Sequence, residues 1–86
     1  MDEIEKLRKE VDKIDNQIVD ALSQRAKICR NIGLVKKKKG LPIKDNSREN
    51  EIYKRVKQMA TKCGLDSVHL EAVYREIVNM CSAVQE

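Results

Sequence analysis

Two charged side chains and one amide stand at positions where a helical repeat calls for apolar residues. Arg25 occupies an a position of the heptad pattern that begins at Ile4. Glu49 falls on the apolar stripe that continues to Ile52, and Gln85 extends the apolar line of the last predicted helix. A buried guanidinium without a partner is costly, so Arg25 needs an anion beside it. The structural explanations are an ion pair with a local acid of the protein or a polar residue that sets the register of the helices, and the functional one is a carboxylate of a bound ligand.

The other two residues also have purely structural explanations. Glu49 lies three residues after Asn46, where it can complete a capping box at the start of a helix. Gln85 can be an ordinary residue of a fraying helix end. Taken one at a time, these residues do not decide between a structural role and a binding role.

Four lysines end the first predicted helix, where positive charge complements the helix dipole: Lys36, Lys37, Lys38 and Lys39. Lys36 lies 11 residues after Arg25, so the two side chains are nearly aligned and about 16 Å apart along the axis. Two such long side chains could reach one small anion. Gly33 lies between them in the middle of the helix, where glycine lowers helix stability by about 1 kcal/mol relative to alanine. Close approach of a ligand or a neighbouring helix would explain that cost, and so would simple tolerance.

Apolar residues at alternating spacings of three and four predict a long first helix, over about residues 2–39. Its stop signal is Gly40, followed by Leu41-Pro42. Such a helix is roughly 55 Å long, and its stripe is too long for two short helices to cover. A second copy of the chain is the simplest cover. The stripe consists of Ile4, Leu7, Val11, Ile14, Ile18, Ala21, Ile28, Ile32 and Val35.

Two shorter helices follow in the same pattern. Asp45 or Asn46 can cap the second, over about residues 46–63, which Gly64 ends. Asp66 or Ser67 can cap the third, over about residues 67–85. With no strand pattern in the sequence, we predict a single all-α domain, residues 1–86, of one long and two shorter helices.

Composition restricts the possible functions. The 86 residues include no Phe or Trp, 41% are hydrophobic and 37% are charged, so the core of one chain is thin. The formal net charge of +4 suits an anionic partner, either a nucleic acid or a small carboxylate. No apolar run approaches the roughly 20 residues that span a bilayer, and nothing at the start resembles a signal peptide.

The cysteines give no sign of a metal site. Cys29, Cys63 and Cys81 are odd in number, lie far apart and form no CxxC pair. We therefore expect reduced, mostly buried thiols in a cytoplasmic protein, with no metal and no cofactor.

Taken together, these residues resemble the AroQ-type chorismate mutases, the all-α class. The resemblance runs without a gap through nearly the whole chain. Its matching positions are Leu7-Arg8, Ile14-Asp15, Gln24-Arg25, Gly33, Lys36, Pro42-Ile43, Asp45, Arg48-Glu49, Leu65-Asp66 and Gln85.

The resemblance implies an intertwined homodimer that rearranges chorismate to prephenate, toward phenylalanine and tyrosine, without cofactor or metal. Arg25 and Arg8 of the partner subunit would bind the two substrate carboxylates. Lys36 would contact a carboxylate and the ether oxygen, and Gln85 would donate to that oxygen.

The remaining implied contacts come from the start of the second helix and the end of the third. Glu49 and the backbone at Asp45 would hold the ring hydroxyl, and Arg48 would support the charge network. Cys81 departs from the family pattern, because it stands where a serine often contacts a carboxylate and a thiol is a weaker donor. Ser82 departs as well, at a position where an aliphatic wall residue is common.

Two alternatives remain open. An isochorismate pyruvate-lyase shares this fold and similar cationic residues. A non-catalytic basic dimer could instead bind nucleic acid through the 36–39 lysine run and Lys44, with a steep salt dependence. Against nucleic acid, Arg25 and Glu49 lie on apolar seams rather than on an open face, and no aromatic stacking platform exists.

Overall fold

The computed structural model describes residues 2–86, in which all regular secondary structure is helical. The three helices are α1, Glu3–Lys39, α2, Asn46–Cys63, and α3, Ser67–Gln85. The predicted fold class, all α with one long and two shorter helices, is confirmed. The observed bounds differ from the predicted ones only by one residue at the start of α1.

The helix ends follow the capping chemistry of the sequence. Each helix begins at an aspartate whose carboxylate accepts from backbone amides: Asp2 from Glu5, Asp45 from Arg48, and Asp66 from Val68 and His69. Asp45 and Asp66 are therefore the caps, rather than Asn46 and Ser67. The first two helices end at Gly40 and Gly64, whose φ angles of 67° and 71° lie in the left-handed region that glycine adopts without steric cost.

Helix α3 packs against α2 on one side and against the second half of α1 on the other. Its contact with α2 is the small core of the chain, formed by Ile52, Val56 and Val78. Tyr53, Leu70 and Tyr74 pack around this core. An ion pair between Lys57 Nζ and Glu71 Oε1, at 3.0 Å, also joins α2 to α3. Because α3 touches both other helices, it determines how the residues of α1 and α2 face each other.

The first half of α1 extends away from this packing. The large apolar side chains of its heptad stripe are between 50% and 59% exposed: Ile4, Leu7, Val11, Ile14 and Ile18. The chain is correspondingly elongated, with extents of 57 × 24 × 15 Å. No helix within residues 2–86 is apolar over a length that could cross a membrane.

A disulfide between Cys29 and Cys81 joins α1 to α3. The two Cα atoms are 5.5 Å apart, within the range that a disulfide requires, although 52 positions separate them in sequence. The prediction of reduced thiols was wrong for this pair, because the packing of α3 on α1 brings the two together and local spacing does not reveal it. Cys63 is free, but it is exposed rather than buried.

Candidate functional site

A cavity of about 340 Å³ lies where the second half of α1, the start of α2 and the end of α3 meet. This volume falls within the range of small-molecule sites. A smaller recess of about 60 Å³ shares most of the same wall and adds Ile43, Glu49, Val78 and Ser82. The wall of the larger cavity consists of Arg25, Ile28, Cys29, Ile32, Lys36, Asp45, Arg48, Ile52, Cys81 and Gln85.

The structure brings together most of the residues predicted from the sequence. Arg25, Lys36, Asp45, Arg48, Cys81 and Gln85 line the larger cavity, and Glu49 lines the smaller recess. Arg8 is the exception, since it lies on the first half of α1. Its guanidinium is exposed and pairs with Glu5 at 3.3 Å. One chain therefore forms a cavity to which Arg8 does not contribute.

Arg25 is half-buried in the cavity wall, and its Nη1 lies 3.9 Å from Cys29 Sγ. Within residues 2–86, no carboxylate oxygen lies within 4.0 Å of the guanidinium. The alternative of a structural ion pair with a neighbouring acid is therefore wrong for the part of the chain that is described. A cation in this environment is suited to an anion supplied from outside the chain.

Lys36 is held at the other end of the same wall. Its Nζ donates to the carbonyl oxygen of Ile43 at 2.6 Å, which ties the end of α1 to the connection that leads into α2. An ammonium carries three donor hydrogens, so this bond leaves two for a ligand. The half-buried Lys36 is thus more than a solvated helix cap.

The start of α2 contributes both acidic and basic groups. The Glu49 carboxylate accepts from Lys44 Nζ at 3.3 Å, and Arg48 Nη1 donates to Glu51 Oε2 at 3.2 Å. The capping-box alternative for Glu49 is wrong, because Asp45 is the cap and Glu49 lies one residue beyond the box position. Glu49 is half-buried, so its carboxylate is placed to accept from a ligand in the recess.

Gln85 is half-buried and packed, rather than frayed, at the end of α3. Its Nε2 donates to the Cys81 carbonyl at 3.2 Å, while its buried Oε1 has no partner within residues 2–86. A Cβ added at Gly33 would lie 2.8 Å from Gln85 Cα, too close for any real contact. The close approach of a neighbouring helix therefore explains the glycine, as one of the predicted alternatives stated.

Sequence reasoning missed Cys29 and Ile28 as wall residues. Cys29 is buried four positions after Arg25, so helical spacing could have placed it beside Arg25 on the same face. Its partner could not have been found in this way. Because Cys81 is part of the disulfide, it has no thiol hydrogen to donate to a substrate carboxylate, even weakly.

Apolar side chains complete the walls of both cavities. Ile32 and Ile52 line the larger cavity, and Val78 lines the smaller recess. Ser82, the other departure from the family pattern, lines the recess as well, so a polar hydroxyl replaces an aliphatic surface there.

Comparisons with known proteins agree with this arrangement. The chain is 36% identical, over its whole length, to a bifunctional chorismate mutase/prephenate dehydratase of Aquifex aeolicus, of which it spans 25%. It is 24% identical to a chorismate mutase of Methanocaldococcus jannaschii, covering all of this chain and 87% of that protein.

A solved structure is similar as well. A conserved hypothetical protein from Pyrococcus furiosus superimposes with a TM-score of 0.77 at 36% identity, over 96% of this chain and 95% of that one. The family model described as chorismate mutase type II matches residues 7–86. Because this match covers most of the chain and agrees with the fold and the cavity, the protein belongs to the chorismate mutase type II family.

Proposed function

We propose that this chain catalyses the rearrangement of chorismate to prephenate. One observation carries the proposal: the half-buried Arg25 guanidinium lines a 340 Å³ cavity and has no carboxylate within 4.0 Å among residues 2–86. Chorismate carries two carboxylates, and Lys36 supplies a second cation in the same wall. The cavity thus offers two positively charged side chains, Arg25 and Lys36, to a small ligand that carries two carboxylates.

The reaction breaks a C–O bond while it forms a C–C bond, and it needs neither a nucleophile nor a proton transfer. The task of the protein is to hold the flexible enolpyruvyl arm over the ring, which can supply several kcal/mol. Arg25 suits this task because a guanidinium grips a carboxylate in one plane through two parallel hydrogen bonds. The apolar side chains of Ile32 and Ile52 would exclude water from the bound ring.

Lys36 and Gln85 would lower the barrier electrostatically. Negative charge develops on the ether oxygen as its bond lengthens, and a preorganised donor at such an oxygen is worth about 3–4 kcal/mol. Lys36 already has a fixed position through Ile43, with two donor hydrogens left. Gln85 would turn its amide from the Cys81 carbonyl toward the substrate. Glu49 and the backbone at Asp45 would hold the ring hydroxyl, and Arg48 would support the surrounding charge.

We further propose that the enzyme works as a homodimer in which Arg8 of the partner subunit completes each site. The exposed stripe on the first half of α1 supports this arrangement, since its five apolar side chains are all at least half exposed in one chain. Arg8 lies 17 residues before Arg25, about 26 Å along the axis, so one ligand cannot contact both on the same helix. In an antiparallel pair, the start of one α1 would pass the middle of the other.

Two other activities are weaker candidates. An isochorismate pyruvate-lyase would use similar cations, and only the choice of substrate separates it from a mutase. Nucleic-acid binding would draw on Lys37, Lys38 and Lys39, which are exposed, but it would leave Arg25 in its half-buried wall without a role. The cytoplasmic location predicted from the sequence stays a prediction, which fractionation of the native cells would test.

The deciding experiment gives purified protein chorismate and isochorismate separately and identifies prephenate, or salicylate with pyruvate, by chromatography. We expect prephenate from chorismate, and a loss of at least about 100-fold in kcat/KM for Arg25→Ala, because truncating one partner of a buried charge pair costs 2–5 kcal/mol.

Arg30→Ala is the matched control, since Arg30 is exposed on the same helix and outside the cavity wall. It should keep wild-type kcat/KM. A folded protein that leaves chorismate unchanged would rule out the mutase, and salicylate from isochorismate would establish the lyase instead.

A further inference from the structure

The Cys29–Cys81 disulfide is part of the cavity wall and lies between two residues of the proposed catalytic set. Cys29 Sγ is 3.9 Å from Arg25 Nη1, and Cys81 Sγ is 3.5 Å from Gln85 Nε2. The bond therefore joins the helix that carries Arg25 to the helix that carries Gln85. Each cysteine is four residues from the side chain that it touches, one turn along the same helix face.

Besides the disulfide, the end of α3 meets α1 at Gly33. Gln85 is the last residue of α3 and lies against Gly33, which has no side chain to hold it. Among residues 2–86, the Gln85 amide donates only within its own helix, to Cys81. The disulfide is the covalent link between the two helices at this level, so it restricts how far Gln85 can move from the cavity.

We propose that Cys29 and Cys81 are a positioning pair, whose disulfide holds Gln85 in place for turnover, so that the rate of the reaction follows the redox state of this pair. The inference rests on the proposed function, because Gln85 matters there as the donor to the ether oxygen. Arg25 and Lys36 both belong to α1 and keep their places when the bond opens. Reduction should therefore lower kcat while it leaves KM nearly unchanged.

The redox step is an exchange with a dithiol. One thiolate of the reductant attacks Cys81 Sγ, which lines the cavity, and the S–S bond breaks with release of Cys29 as a thiolate that takes up a proton. The second thiol of the reductant then displaces Cys81 from the mixed disulfide. Two electrons and two protons pass to the protein, and the reductant becomes a cyclic disulfide. A small-molecule disulfide reverses the sequence.

The experiment compares oxidised and dithiothreitol-reduced protein by alkylation, mass spectrometry and chorismate kinetics. The oxidised chain should take up one alkyl group, at Cys63, and the reduced, denatured chain three. We expect reduction to lower kcat about tenfold, with KM changed less than twofold, because a displacement of this kind at a reacting atom costs that much or more.

Three variants separate positioning from general stability. Cys63→Ala, which removes the free exposed thiol, should show the same loss on reduction as the wild type. Cys29→Ala should have the lower kcat under both conditions and no response to the reductant. In Gln85→Ala, reduction should change kcat little, because the residue through which the disulfide acts is missing.

Equal kcat in the two redox states, with alkylation confirming one and three groups, would overturn the proposal. So would three alkylated cysteines in protein treated with oxidised glutathione, or a full reduction effect in Gln85→Ala. If neither state converts chorismate, the proposed function fails and the positioning role fails with it. The alkylation count would still report whether the bond exists.

Discussion

The two halves of α1 share one heptad pattern but differ in what covers them. In the second half, Cys29 and Gly33 are buried against α3, and Arg25 and Lys36 line the cavity. The apolar stripe itself is exposed in both halves, from Ile4 to Ile18 in the first and at Ile28, Ile32 and Val35 in the second. A repeat in one helix thus predicts that a face will be buried, but not which partner buries it. In the second half the chain covers only the face beside the stripe, at Cys29 and Gly33, and we propose that a second copy covers the exposed stripe of the first half.

The largest expected effect comes from a charge placed in the apolar stripe on the first half of α1. Ile14→Asp places a charge in the middle of the stripe, where burial of isoleucine would contribute roughly 1.5–3 kcal/mol in each chain. We expect sedimentation to show monomers and kcat/KM for chorismate to fall at least about 100-fold, since Arg8 of the partner subunit would be lost from the site.

Val19→Asp is the matched control, because Val19 is an exposed apolar residue of the same half that lies outside the stripe. It should leave both association and kcat/KM at wild-type values. If Ile14→Asp keeps the sedimentation and the activity of the wild type, the dimer model is wrong.

An intermediate effect on kcat is expected in the second half of α1, where Gly33 packs against α3. In Gly33→Ala the new Cβ would lie 2.8 Å from Gln85 Cα, so the end of α3 must shift. We expect kcat to fall roughly 10- to 100-fold, because misplacing a catalytic group by about 1 Å costs this much. Steady-state kinetics measures the loss, and the gain in helix propensity of about 1 kcal/mol should partly offset the effect on stability.

Gly64→Ala provides the comparison for Gly33. No atom of residues 2–86 lies within 4 Å of a Cβ added at Gly64, but the φ of 71° would strain the backbone of any residue other than glycine at this position. It should lower the free energy of unfolding by about 1 kcal/mol and leave kcat unchanged. Unchanged kcat in Gly33→Ala would show that Gln85 tolerates displacement.

The smallest expected effect concerns Glu71 of α3, which pairs with Lys57 of α2 and with Arg75 of its own helix. The hydrogen bonds from Lys57 and Arg75 lower the pKa of Glu71 below its ordinary value of 4.5. A carboxyl with a lowered pKa stabilises the folded state fully above 4.5, and this contribution is lost as pH falls through the folded pKa. Glu71→Gln should therefore reduce the free energy of unfolding at neutral pH, and its difference from wild type should vanish in acid.

Urea titrations at a series of pH values below 6 would measure this convergence. Glu76→Gln is the control, since Glu76 is an exposed acid of the same helix with no ion pair in the part of the chain that is described. A difference between wild type and Glu71→Gln that stays constant into acid would mean that packing, not charge, is responsible.

Helix bounds and most of the cavity wall were predictable because their signals are local. Aspartate caps and left-handed glycines mark the ends of helices through bonds that span two to five residues. Arg25 and Glu49 interrupt apolar stripes in a way that periodicity alone detects. The resemblance to a known family then connected residues far apart in sequence, such as Lys36 and Gln85, in a way that no local pattern could.

By itself, the sequence determined the three helices, their caps, the basic balance and the polar residues on apolar seams, because each depends on neighbours within a few turns. Only the tertiary structure decided that Cys29 bonds to Cys81, that Gln85 packs on Gly33 and that Lys36 reaches the Ile43 carbonyl. It also decided that Arg25 has no acid beside it within residues 2–86. These contacts depend on the position at which α3 lies along α1, which follows from the packing of whole helix faces rather than from any local spacing.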